Sequence, residues 1–181
     1  LMPALVMREP PGSLLHQTGQ LVVRRQMRYG ARRGVPWGVS EAAFNARDLE
    51  LTYQYANFGV PGLGLQRGLS EDVVIAPYAT ALAAMIDPAA AVANFERLTA
   101  IGMRGRFGFY ESIDYTAERR SEGAPAGIVR AFMAHHQGMS IVAIANVLHG
   151  GVMRRRFHSA PIVKATELLL QERAPRDVAV A

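Results

Sequence analysis

Apolar residues recur at helical spacing along most of the chain and alternate only briefly. Leu14, Thr18, Leu21, Val22 and Arg25 follow a helical repeat. The spacing predicts a helix over 14–29, with Ser13 as N-cap, Gly30 as its stop and the arginines away from the apolar face. Residues 77–86 read as a compact apolar helix. Asp87-Pro88 opens another, carrying Val92, Phe95, Leu98 and Ile101 on one face and stopped by Gly102. Further helices are predicted over 141–148, 153–157 and 162–172, followed by a tail from Arg173 onward that contains Pro175. Ser40 is a candidate cap for one more helix, entered from the loop around Gly34, Pro36 and Gly38. Only Leu49, Leu51, Tyr53 and Tyr55 alternate, which predicts a short strand within 45–57. The fold class is therefore mainly α. Chemistry-capable residues collect in long loops between the helices, as in a helical barrel or toroid with a loop-built site.

Composition narrows the function classes. The chain has 181 residues, half of them hydrophobic, which suffices for one domain with a sizeable core. No apolar run approaches the length of a membrane-spanning helix. The net charge of +5 is carried almost wholly by arginine, since Lys164 is the only lysine. Such a balance permits contact with anionic lipid or nucleic acid. The basic residues are scattered, however, in pairs such as Arg24–Arg25, Arg32–Arg33 and Arg119–Arg120, with one triplet at 154–156. No recognition helix or RNA-binding signature accompanies them, so no nucleic-acid partner is expected. The absence of cysteine excludes disulfides, thiolate-bound zinc and a cysteine nucleophile. A chain opening at Leu1 with no secretory pattern reads as a piece of a longer polypeptide.

Candidate chemistry centres on the stretch from Gly102 to Thr116. It sets Glu111 and Asp114 among Phe107, Phe109, Tyr110 and Tyr115. Aromatic faces stack on the apolar faces of sugar rings as readily as they fill a core. A carboxyl lodged against aromatics has its neutral form favoured by desolvation, the condition a general acid requires. An aromatic hairpin with its acids turned to water fits the same residues. Upstream, Trp37, the only tryptophan, stands four residues before Glu41. That pairing suits a sugar site, or a buried aromatic beside a glutamate in the first turn of a helix. The glycine-rich loop over 58–68 lacks the lysine and serine or threonine of a P-loop and the dinucleotide fingerprint. His135 and His136 are adjacent and would point in different directions on a helix, which makes a poor two-ligand site. Neither a metal nor a cofactor is expected. Hydrogen bonding to a substrate or to a catalytic carboxylate suits these histidines better.

Five segments carry a resemblance: Val-Pro-Trp-Gly-Val-Ser-Glu-Ala-Ala-Phe-Asn-Ala-Arg-Asp (35–48), Gly-Val-Pro-Gly-Leu-Gly-Leu-Gln-Arg-Gly-Leu (59–69), Val-Ile-Ala-Pro-Tyr-Ala-Thr (74–80), Gly-Phe-Tyr-Glu-Ser-Ile-Asp-Tyr-Thr (108–116) and Met-Ala-His-His-Gln-Gly-Met (133–139). Together they resemble the glycoamylase-like domain of cyclic β-1,2-glucan synthases, across almost the whole chain. The resemblance implies a central part of a very large bacterial inner-membrane protein, on the cytoplasmic face, flanked by glycosyltransferase and phosphorylase-like parts. It implies an (α/α)6 toroid, of which residues 1–181 would be an incomplete portion lacking N-terminal helices. The partners it implies are a β-1,2-glucan oligosaccharide and the other domains of the same polypeptide. The activity it implies is cyclisation of linear glucan by transglycosylation.

Joining a β-linked chain to itself through another β-linkage keeps the anomeric configuration. That calls for a nucleophilic carboxylate and an acid/base carboxyl about 5 Å apart. Glu111 is the expected acid/base, because its setting is the more apolar, and Glu41 the expected nucleophile, although the roles can be exchanged on the sequence alone. Asp114 is third in line. Arg47, Tyr110, His135, His136 and Gln137 are candidate sugar-binding or orienting groups, and Trp37 and Tyr115 candidate stacking platforms. An inverting β-1,2-glucan hydrolase and a non-catalytic glucan-holding module remain as alternatives.

Overall fold

The computed structural model describes residues 1–64 and 66–173. The tail assigned to 173–181 therefore lies outside the described residues beyond Arg173. Helices dominate. Helix α1 (Leu14–Arg33) begins where the Ser13 hydroxyl accepts from the His16 amide at 3.2 Å. It runs through Gly30 and stops at Gly34, which takes the left-handed conformation, φ 69°. Gly30 is thus not the stop that the pattern predicted. It is buried, and a Cβ there would lie 3.0 Å from the Trp37 Cβ and the Val35 carbonyl. Close approach of the next segment, not a turn, is what requires glycine at that position.

The chain returns along α1 as an extended, buried strip from Val35 to Val39. Two primary amides hold this strip. Gln26 accepts from the Val39 amide at 3.0 Å and donates to its carbonyl at 2.7 Å. Asn94 does the same for Trp37, at 3.1 and 2.8 Å. Only Gly38 and Val39 also meet a strand, through the Ala76 amide and a bridge to Ile75, so the rest of this buried backbone needs such partners.

Beyond Ser40 the predicted helix does not form. Residues Ala42–Arg47 are strand β1, paired antiparallel with β2 (Tyr53–Ala56). Between them Asp48 accepts from the Glu50 and Thr52 amides, each at 2.9 Å, and holds the turn. The strand prevails because its amides at alternate positions are captured from elsewhere in the chain. Ala43 donates to Glu111 and Asn45 to Asp114, at 3.3 and 3.1 Å. Tertiary partners outweigh the helix preference of an alanine-rich run.

Strands β3 (Val74–Ile75), β6 (Ser112–Asp114) and β7 (Gly127–Val129) make a buried antiparallel sheet in the order β3-β6-β7. A small hairpin of β4 (Arg104–Gly105) and β5 (Gly108–Phe109) leads into it. The helical layer comprises α2 (Pro77–Ala83), α3 (Pro88–Ala100) and α4 (Ala134–Leu148). Asp87 caps α3 through a 3.0 Å bond from the Ala90 amide, and Gly102, φ 82°, follows its end, both as predicted. α4 starts seven residues before the expected Ile141, so the histidine pair stands on its first turn and not in a loop. After α5 (Val152–Phe157), the continuous helix expected over 162–172 divides into α6 (Pro161–Thr166) and a 3-10 turn, Glu167–Gln171. α2 packs on both α3 and α4. Among the described residues, no helix is long and apolar enough to cross a membrane.

Candidate active site

Glu111 stands between β5 and β6, where its amide donates to the Ala131 carbonyl at 3.0 Å. The residue is 2% exposed. One carboxylate oxygen, Oε1, accepts from the Ala43 amide and lies 2.8 Å from His136 Nδ1. The other, Oε2, is buried without a hydrogen-bond partner. Leaving a buried carboxylate oxygen unpaired costs about 1–3 kcal/mol or more, which is why such atoms mark functional positions.

His136 is 1% exposed and is held on every side. Its ring stacks on Tyr78 of α2, with centroids 3.7 Å apart and planes 13° from parallel. The Tyr55 hydroxyl, on β2, lies 3.3 Å from its Nε2 and 3.4 Å from Nε2 of the exposed His135. Tyr78 in turn shares a 2.6 Å hydrogen bond with Ser40. Burial, with Glu41 and Glu111 adding, pushes the Tyr55 phenol up to about 12, although two-fifths of its surface stays open. Burial raises the Tyr78 phenol further, against the Ser40 hydrogen bond and with help from Glu41, Tyr55 and Glu111. Both phenols therefore stay protonated, as donors, at neutral pH. The fields of the two carboxylates meet on this pair of tyrosines.

A cleft of about 740 Å³ opens beside this cluster, between α3 and the first turns of α4 with α2 beneath. Tyr78, Phe109, Tyr110, Glu111, His136 and Gln137 line it. Tyr110 lies at 5.6 Å from the Phe132 ring, and Gly105 makes room for its hydroxyl, which occupies the place of a Cβ. Four of the candidates read from the sequence thus converge here: Glu111, Tyr110, His136 and Gln137, with His135 adjoining through Tyr55.

The others stand elsewhere. Glu41 is exposed and lines two smaller cavities, of about 200 and 290 Å³, on the Ser40 side of Tyr78. Trp37 shares the first of these but is a core residue, 7% exposed, packed with Val23, Ala83, Ala84 and Ala91. Arg47 lies over the Tyr53 ring at 4.2 Å on the outer hairpin. Tyr115 is half-buried in the core formed around Val73, Ile75 and Ile113, and burial raises its phenol. Asp114 is fully buried in β6 and accepts from the Asn45 and Thr116 amides and, at 2.7 and 3.2 Å, from Arg119. Arg119 also reaches Asp72 at 2.5 Å. Burial works against the guanidinium charge, but bonds to Asp114 and Asp72 hold it ionised. Every acceptor of Asp114 is engaged away from the cleft, which suits a structural pair better than third place in the chemistry.

Tyr55 and Tyr78 escaped the sequence reading. Tyr78 sits inside one of the five segments of the resemblance, a usable signal. Tyr55 carried only its strand alternation. Among the described residues no group of three or more His, Asp, Glu or Cys side chains could hold a metal ion.

The family model "Glycoamylase: Putative glucoamylase" matches residues 17–161. The chain is 56% identical over 180 residues to the cyclic beta-(1,2)-glucan synthase NdvB of Rhizobium meliloti (strain 1021), spanning 99% of this chain but only 6% of that protein's length. Among solved structures, the endo-beta-1,2-glucanase of Chitinophaga pinensis, in complex with sophorotriose and glucose, superposes with a TM-score of 0.57. The match has 19% identity and covers 87% of this chain and 34% of that one. The beta-1,2-glucanase of Parabacteroides distasonis gives 0.59 at 17% identity, over 92% of this chain and 23% of that one. These likenesses show a shared fold.

Proposed function

Because the chain belongs to the glucoamylase-like family, we propose that it acts on linear β-1,2-glucan by retaining transglycosylation, as part of a cyclic β-1,2-glucan synthase. The observation that carries the reading is the Glu111 carboxylate, buried at the wall of an aromatic-lined cleft with Oε2 free of any partner. Tyr110 and Phe109 offer ring faces to a sugar, and Gln137 an amide that can both donate and accept.

In this reading Glu111 is the acid/base. Its Oε1 is held by Ala43 and His136, so that Oε2 carries the proton to the glycosidic oxygen and later takes one from the acceptor hydroxyl. Glu41, solvent-exposed, is the nucleophile that forms the glycosyl-enzyme. Tyr78 lines both the cleft that holds Glu111 and the smaller cavity that holds Glu41, which supports reading the two carboxylates together. Closure of the glucan then needs no net proton or water: the bond to one internal glucose breaks, the segment beyond it leaves as free glucan with the proton from Glu111, and the chain's own terminal hydroxyl returns a proton to Glu111 as it forms the new bond. Residues 1–181 are read as one portion of a toroid completed by other segments of the same inner-membrane polypeptide, a reading supported by the small share of NdvB and of both glucanases that they span.

Product analysis on linear β-1,2-glucan tests the proposal. Cyclic or lengthened products are expected. New reducing ends of inverted configuration would make the chain a hydrolase, and unchanged glucan that still binds would make it a holding module. Glu111→Gln should abolish transfer while glucan binding persists. With an activated donor whose leaving group needs no proton, the same variant should still form the glycosyl-enzyme, and azide should intercept it. Glu41→Gln should block that step with either donor. Near-wild-type transfer by both variants would remove the carboxylate pair.

A further inference from the structure

The hydroxyl of Tyr55, on the β1–β2 hairpin, lies next to the buried histidine. The hydrogen-bond partners around His136 bear on where its proton sits. Glu111 Oε1 already accepts from the Ala43 amide, a group that can only donate. An oxygen so engaged, 2.8 Å from His136 Nδ1, is served by a hydrogen on that nitrogen. A neutral ring protonated at Nδ1 presents a bare Nε2, which needs a donor. Tyr55 supplies one at 3.3 Å, and its phenol holds its proton far above neutral pH. The Tyr55 oxygen also lies 3.4 Å from His135 Nε2. Stacking on Tyr78 fixes the plane in which all these bonds are made.

We infer that Tyr55 is a positioning residue of the site: its hydroxyl donates to His136 Nε2, locks that ring in the Nδ1–H form, and thereby leaves Glu111 Oε2 as the reacting oxygen. The inference rests on the proposed role of Glu111 but adds a residue 81 positions from His136 in sequence. Its physical content is a choice of tautomer. Without Tyr55 the ring can carry its hydrogen on Nε2, and Nδ1 then turns a lone pair toward Glu111 Oε1. A carboxylate facing a lone pair is repelled, and Oε1 becomes the oxygen that must be protonated. The reactive proton then moves from Oε2 to an atom held against Ala43. Among the described residues, the titratable groups in contact with His136 are Glu111, Tyr55, Tyr78 and His135. Of these, Tyr55 is the donor positioned to Nε2 by the fold of the hairpin.

The test has two readouts. Long-range proton–nitrogen NMR spectra of the labelled chain report which ring nitrogen of His136 bears hydrogen, with the signals assigned by their loss in His136→Asn. The wild type should show Nδ1 protonated and Nε2 bare at neutral pH, and Tyr55→Phe should show hydrogen gained on Nε2. In glucan transfer, Tyr55→Phe should lower kcat roughly 10- to 100-fold, a share of what general acid–base catalysis contributes, with KM little changed. Its pH profile should change as well, because a hydrogen bond that only a bare Nε2 can accept is gone. A wild-type ring with hydrogen on Nε2 and a bare Nδ1 overturns the inference, as does Tyr55→Phe with unchanged tautomer, kcat and pH profile. Retained transfer by Glu111→Gln would instead remove the proposed role of Glu111, while the tautomer result would stand.

Discussion

Glu111 and Asp114 stand three residues apart, both buried, and both take an amide hydrogen from β1. Their surroundings then diverge. Asp114 meets a guanidinium that also bonds Asp72 and lies over the Phe44 ring at 4.9 Å, so its charge is neutralised and all its lone pairs are used. Glu111 meets an imidazole and keeps one oxygen unpaired. The sheet thus carries one carboxylate as a structural pin and presents the other to a cleft. Burial alone does not separate the two, and the count of satisfied acceptors does.

That contrast can be broken from either side. The largest effect is expected at the pin. Arg119→Met leaves the buried Asp114 charge uncompensated and should cost about 3–5 kcal/mol, read as a lower midpoint in denaturant unfolding. Gly127→Ala attacks the same node by sterics. Gly127 pairs with Asp114 across β6 and β7, and its Cβ would overlap the Asn45 side chain, itself bonded to the Arg119 carbonyl. Overpacking of this kind should destabilise by about 1–3 kcal/mol. Unfolding of either variant at the wild-type midpoint would show that the node is slack.

At the other carboxylate, Glu111→Gln keeps the shape and an acceptor for Ala43. Its stability should stay within about 1 kcal/mol of wild type while transfer is lost. A destabilisation equal to that of Arg119→Met would make Glu111 a second pin and not a reacting group.

The smallest effect is expected at high pH. The Tyr55 phenol titrates near 12 in the folded chain and near 10 when unfolded. Below pH 10 both states hold the proton, and its contribution to stability is complete. As pH rises from about 10 through 12 the unfolded state sheds the proton first, and stability falls. Wild type should therefore lose more stability over that window than Tyr55→Phe, by a margin reduced by the exposure of the ring. Equal loss would mean that the phenol is not perturbed.

What the sequence determined by itself lies within a few residues of each signal. Ser13 and Asp87 cap their helices through bonds to amides three positions away, and Gly102 ends α3 by its own backbone freedom. The five segments also identified the family, since motif residues keep their order whatever their contacts. Decisions made across the chain were not legible in this way. Gly30 reads as a stop but serves a close crossing with Trp37. The run from Ala42 to Asn45 reads as helix but becomes strand, because Glu111 claims the Ala43 amide and Asp114 the Asn45 amide from 68 and 69 residues away. Trp37, read as a platform, is claimed by the core through Asn94, 57 residues on. The partnership of Glu111 with His136, and of His136 with Tyr55, likewise exists only once β2, α2 and α4 are packed. Local pattern reports which backbone states a segment prefers. Which acceptor goes unsatisfied depends on every group that folding brings within reach of it.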